Sequence, residues 1–145
     1  MSSQSGQPGT SIRRAGRRIL FVLEDDPNAR DLLVEVAGDA GWDVRGFASI
    51  PSIRRALAHA VPDLLLVDED VADGHGGEFA REVQGDGRAR GVPIIVLSEA
   101  SPRRRAELAT WAAVIAKPFD LADLERRLSA IDGKPENHQA QSTAS

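Results

Sequence analysis

The chain has 145 residues, with 22 acidic side chains against 18 lysines and arginines and a net charge of −4. That length makes one domain with a sizeable core the default, and the acidic balance argues against a nucleic-acid surface. Cysteine is absent, which excludes disulfides and thiolate metal sites and fits a reducing compartment.

In chain order, the opening residues are mostly Ser, Gln, Gly, Pro and Thr. They cannot bury enough apolar area to offset chain entropy, so 1–17 reads as a disordered arm. Arg13-Arg14 and Arg17-Arg18 precede the apolar run 19–23, an arrangement that invites an export-signal reading. The run is shorter than the roughly 7–15 apolar residues of a signal core and ends on Glu24-Asp25-Asp26. No run approaches the about 18 residues needed to cross a bilayer, so no membrane partner and a cytoplasmic location are expected.

Residues 19–23 predict a first strand. Asp26-Pro27 then offers a helix cap and a first-turn proline, and Leu32, Leu33, Val36, Ala37 and Ala40 share one helical face closed by Gly41. Residues 42–47 alternate as an edge or half-covered strand does, and Ile53, Ala56, Leu57 and Ala60 form a second helical stripe before Pro62. The unbroken run 64–67 suits a strand buried on both faces, ending on Asp68. A short third helix around 78–84 is broken by Gly85-Asp86-Gly87. Pro93 introduces a fourth buried strand, 94–97, ending in Ser98. Ser101-Pro102 caps a helix that carries Arg103-Arg104-Arg105, read as a solvated face, and reaches about Trp111. A weaker fifth strand, 113–116, leads into Lys117-Pro118-Phe119. Asp120 caps a last helix with Leu121, Leu124, Leu128 and Ile131 on one stripe, and Gly133 ends it. Residues 133–145 read as a disordered tail. Five strands alternating with five helices predict an α/β fold: a doubly wound parallel sheet in a single domain, 18–132.

Four of these strands finish in Glu24-Asp25, Asp68, Ser98 and Lys117, and in such a sheet those ends share one edge, where ligands bind. Two unit charges about 4 Å apart repel by about 4 kcal/mol at an effective dielectric near 20, so converging carboxylates need compensation. Lys117 supplies one positive charge, and oxygen-only ligands favour Mg²⁺ as the second. The set reads as a phosphoryl-transfer site with a carboxylate nucleophile, a divalent ion, a hydroxyl donor and a lysine.

These same segments, residues 19–30, Pro62-Asp63-Leu64-Leu65-Leu66-Val67-Asp68 with Gly76 beyond it, residues 93–98 and Lys117-Pro118-Phe119, resemble the receiver domain of bacterial two-component response regulators. The resemblance covers residues 18–132 and implies the flavodoxin-like (βα)5 fold with strand order 2-1-3-4-5. It implies that Asp68 accepts a phosphoryl group from a histidine kinase or histidine phosphotransfer protein, with Mg²⁺ held by Asp25 directly, by Glu24 through water, by Asp68, and by the backbone carbonyl of Asp70. Ser98 would donate to a phosphoryl oxygen, Lys117 would pair with it, and the Lys117-Pro118 bond would be cis. The expected protein is a stand-alone phosphoacceptor, not an enzyme beyond its own phosphoryl transfer and autodephosphorylation. It would act by docking to a target protein, as a monomer or a phosphorylation-dependent dimer.

The sequence departs from the family at several points. Glu99 follows the hydroxyl where Ala or Gly is usual, Val114 stands where Tyr or Phe is common, and Ala72 replaces a loop proline. The interval from Ser98 to Lys117 is also short. A two-state switch taken from 1:99 to 99:1 requires about 5.5 kcal/mol of differential binding. Without the aromatic, the reading expects an atypical output face or reduced switching. The alternative is a phosphorylation-independent interaction module of receiver shape. A haloacid-dehalogenase-like phosphatase shares an Asp68-x-Asp70 motif, but its nucleophile lies on the first strand and its acid pair after the lysine. His59, His75 and His138 lack metal-ligand spacing, and Trp42 and Trp111 read as packing residues.

Overall fold

The computed structural model describes residues 18–131; the expectations for 1–17 and 133–145 lie outside that range. Five strands, β1 (Arg18–Leu23), β2 (Trp42–Phe47), β3 (Leu64–Asp68), β4 (Ile94–Ser98) and β5 (Ala113–Ala116), form one parallel sheet in the order β2-β1-β3-β4-β5. Helices α1 (Pro27–Asp39), α2 (Ile50–Leu57), α3 (Gly76–Gln84), α4 (Pro102–Leu108) and α5 (Leu121–Ala130) alternate with them. This is the flavodoxin-like order that the resemblance implied. No helix among the described residues is long and apolar enough to cross a membrane.

Strand alternation divides the core. Phe21, Leu23, Leu65, Val67, Ile94 and Val96 pack with Ile53 of α2, Phe79 and Val83 of α3, and Leu108 of α4. Their neighbours Leu20, Val22, Leu64, Leu66, Ile95 and Leu97 pack on the other face with Leu33 and Val36 of α1 and Leu124 and Leu128 of α5. Every residue of β3 and β4 is buried, and each apolar side chain among them contributes about 1.5–3 kcal/mol of burial. Polar residues are thereby pushed to the strand ends, which fixes where the site forms.

The caps follow the sequence reading. Asp26 accepts the Ala29 N–H at 2.8 Å, Ser101 the Arg104 N–H at 3.2 Å, and Asp120 the Ala122 N–H at 2.8 Å. Gly41 closes α1 with φ of 100°, a left-handed conformation that glycine adopts without a Cβ penalty. Trp42 is buried with its indole N–H donated to Leu128 O at 2.9 Å.

Three helix boundaries differ. Helix α2 stops at Leu57, short of the expected Ala60. Helix α3 begins at Gly76, ahead of the expected 78. Helix α4 stops at Leu108 instead of near Trp111, because the chain turns there to seat the Trp111 indole, whose N–H donates to Gly77 O at 3.2 Å.

Candidate functional site

The carboxyl ends of β1, β3, β4 and β5 bring the expected residues to one edge. Glu24, Asp25 and Asp68 each offer a carboxylate oxygen within 4.8 Å of the others. Asp68 is the last residue of β3, 4% exposed, and Lys117 Nζ lies 2.5 Å from its Oδ1. That oxygen is buried, and among the described residues the Lys117 ammonium alone meets it, in a charge-assisted hydrogen bond. Ser98 ends β4 fully buried, beside Leu97, which pairs in register with Asp68. Its Oγ accepts the Ala100 N–H at 3.0 Å, and its carbonyl accepts the Lys117 N–H at 2.8 Å. The Lys117-Pro118 bond is cis, as the resemblance implied.

Local structure fixes the two leading acids. The Glu24 N–H donates to Phe47 O at 3.0 Å, extending the β1–β2 pairing, and Glu24 Oε2 accepts the Asp26 N–H at 3.1 Å. Asp25 Oδ2 accepts the Ala72 N–H at 2.7 Å, tying the first loop to the third. Asp70 is exposed and opens a two-residue strand, Asp70–Val71, paired antiparallel with Gly74–His75.

The charges are unevenly compensated. Burial raises the Asp68 pKa above the usual carboxylate value; Lys117 opposes the rise, and Asp70 and Asp25 add to it. Burial also raises Glu24, against the Asp26 N–H and together with the Asp68 charge. For Lys117 burial works downward, but contact with Asp68, then the charges of Glu24 and Glu99, outweigh it and leave its pKa raised. Three converging carboxylates, with Lys117 the one cation on Asp68 among the described residues, suit a small hard dication. Exposed Glu99 lines the same rim as Lys117, Pro118 and Phe119 in a groove of about 520 Å³.

The sequence reading gives no role to Glu69 and does not pair it with Arg104. Glu69 is 4% exposed, and its Oε2 accepts a 2.8 Å bond from Arg104 Nε. Arg104 also meets Glu78 at 3.0 Å and Glu107 at 2.7 Å. The expectation of a solvated face for the arginine run therefore fails at Arg104, which is only 24% exposed. Arg105 is half-buried and donates to Ala100 O at 2.5 Å. The available signal was strand parity: Glu69 continues the face of Leu65 and Val67, so its charge had to be buried beside α3 and α4 and needed a cation there.

A family model described as the response regulator receiver domain matches residues 20–129. The chain is 29% identical over 119 residues to the transcriptional regulatory protein GltR of Pseudomonas aeruginosa, covering 80% of this chain and 49% of that protein. It is 28% identical over 118 residues to the phosphate regulon transcriptional regulatory protein PhoB of Escherichia coli, covering 79% and 51%. The chain thus spans about half the length of the curated relatives it matches. Among solved structures, the receiver domain of a Pseudomonas aeruginosa sensor histidine kinase, with a magnesium ion coordinated in its active-site cleft, gives a TM-score of 0.69. Its identity is 25%, over 83% of this chain and 100% of that one. The chemotaxis protein CheY4 of Vibrio cholerae gives a TM-score of 0.70 at 23% identity, covering 77% and 96%.

Proposed function

The chain belongs to the response regulator receiver domain family, and from that membership we propose that Asp68 accepts a phosphoryl group from the phosphohistidine of a kinase or histidine phosphotransfer protein. The observation that supports this most is the buried Asp68 carboxylate, held among the described residues by Lys117 alone, beside Glu24 and Asp25. An Asp68 carboxylate oxygen attacks phosphorus as the P–N bond breaks. The imidazole leaves with the bonding pair and takes a proton from solvent, and Asp68 becomes a mixed anhydride. Lys117 orients the carboxylate and offsets the added negative charge. Ser98, whose oxygen accepts the Ala100 N–H, has its hydroxyl proton to donate to a phosphoryl oxygen. Mg²⁺ held by Glu24, Asp25, Asp68 and the Asp70 carbonyl supplies, when bound, further neutralisation of the phosphoryl oxygens.

On this reading the protein is a cytoplasmic phosphoacceptor that signals by docking to a target protein, with no turnover beyond its own phosphoryl transfer and autodephosphorylation. Exposed Glu99, whose charge reaches Lys117, favours a second reading, a phosphorylation-independent interaction module. The test is incubation with acetyl phosphate and, separately, with a phosphohistidine protein donor, each with Mg²⁺, followed by mass spectrometry. A labile phosphoryl adduct on the wild type that is missing from Asp68→Asn is expected. No adduct from either donor would leave the interaction module as the better account.

A further inference from the structure

Glu69 is bound on every side. Its N–H donates to Leu97 O at 2.9 Å, its carbonyl accepts the Gly76 N–H at 2.9 Å, and its Oε1 accepts the Gly77 N–H at 3.0 Å. A Cβ at Gly76 would lie 2.0 Å from the Asp68 carbonyl oxygen, and one at Gly77 would lie 2.5 Å from Glu69 Oε1. The 68–69 peptide therefore has no slack against α3. The remaining carboxylate oxygen holds Arg104, in the first turn of α4. Helix α4 is thus tied to the site twice: through the loop that begins at Ser98, and through Arg104 to the residue adjoining Asp68.

The geometry points to the Glu69–Arg104 ion pair as the restraint that sets how far α4 moves when Asp68 is loaded. The inference rests on the phosphoacceptor reading given above. A Ser98 Oγ that moves to reach an oxygen on Asp68 either leaves the Ala100 N–H it now accepts or draws that N–H with it, and in both cases the loop ahead of α4 rearranges. Helix α4 can follow only as far as Arg104 leaves Glu69. Release is feasible because the guanidinium keeps two exposed partners, Glu78 and Glu107. With Val114 at the position three before Lys117, this pair supplies a link between site and helix that needs no aromatic side chain.

Amide hydrogen exchange across 102–108 tests the assignment in wild type, Glu69→Gln and Arg104→Lys, each with and without beryllofluoride plus Mg²⁺. Backbone resonances of Ser98 and Lys117 report loading in each protein. Glu69→Gln keeps the side-chain volume and an oxygen for the Gly77 N–H while removing the charge. The loaded-to-unloaded ratio of exchange rates should be roughly fivefold larger in Glu69→Gln than in wild type, the low end of site-to-site couplings. Arg104→Lys, which keeps the charge without the fork, should fall between them. A merely structural pair would raise exchange in both forms and leave the ratio unchanged. Equal ratios in all three proteins, with Ser98 and Lys117 shifting on loading, would overturn the restraint while sparing the phosphoacceptor reading. Should Glu69→Gln fail to fold, the Arg104→Lys ratio decides alone. Absence of any loading shift in the wild type overturns both.

Discussion

Asp68 and Glu69 are consecutive, both acidic and both 4% exposed, yet the strand's two-residue period sends them to opposite faces and opposite electrostatic fates. Glu69 has a guanidinium and an amide N–H on its two oxygens. Asp68 has one lysine, on one oxygen, among further acids. A buried charge that is fully partnered holds structure together, and one left under-compensated is available to a ligand. Burial alone therefore does not distinguish a structural acid from a reactive one; the count of partners does.

The strongest way to break this contrast is to strip Glu69 of its cation. Arg104→Met leaves a buried carboxylate with only the Gly77 N–H, and should lower stability by about 3 kcal/mol, the low end for an orphaned buried pair. The urea midpoint, compared at constant slope, measures it. A loss below about 1 kcal/mol would mean that Glu69 is no better partnered than Asp68.

Ligand addition should act on the other acid alone. At about 100 times its dissociation constant, Mg²⁺ should stabilise the wild type by about 2.7 kcal/mol. Asp25→Asn should lose most of that gain, whereas Glu69→Gln should keep it. Calorimetric melting with and without Mg²⁺ gives the comparison, and equal loss in both variants would show that the two acids form one site.

Removing the Asp68 charge should run opposite in sign to removing the Arg104 charge. The raised pKa of Asp68, caused first by burial, means that its ionised form is disfavoured in the folded chain. The stabilising contribution of such a group is present below its unfolded pKa of about 3.9 and is lost as pH rises through the folded value. Asp68→Asn without Mg²⁺ should therefore be more stable than wild type at neutral pH, by about 1 kcal/mol or more, the scale of a relieved charge pair in a partly wet site. The advantage should shrink as acid protonates Asp68 itself. Urea midpoints of both proteins from pH 7 downward test this, and an advantage that grew on acidification would contradict the burial argument.

Legibility in the sequence follows the same division. The unbroken apolar runs of β3 and β4, the shorter run of β5 and the Asp26, Ser101 and Asp120 caps are local signals, and they mark the strand ends, hence Asp68, Ser98 and Lys117. The Glu69–Arg104 pair joins a strand end to a helix far along the chain, so no local pattern reports it. The arginine run resembled any solvated helix face because only Arg104, and not Arg103, points at a buried acid. Helix α4 falls short of Trp111 for a related reason: its end is set by the seating of Trp111 against Gly77 in α3, a tertiary contact that overrides helix propensity.

The smallest effect sharpens the contrast furthest. Of the three acids on Arg104, Glu107 makes the shortest contact, 2.7 Å, and is the leading cause of the raised Arg104 pKa. On that ground alone Glu107→Gln would rival Arg104→Met. It should not, because Arg104 is charged at every pH where the protein folds, so raising its pKa further changes no protonation state there. Glu107 is also 63% exposed, and such pairs contribute only about 0.2–1 kcal/mol before salt screens them. Glu107→Gln should shift the urea midpoint by less than about 0.5 kcal/mol, and the shift should fade at high salt, whereas the Arg104→Met loss should persist. A salt-insensitive Glu107→Gln loss as large as that of Arg104→Met would place the anchor of α4 on its own surface instead of beneath it, at Glu69.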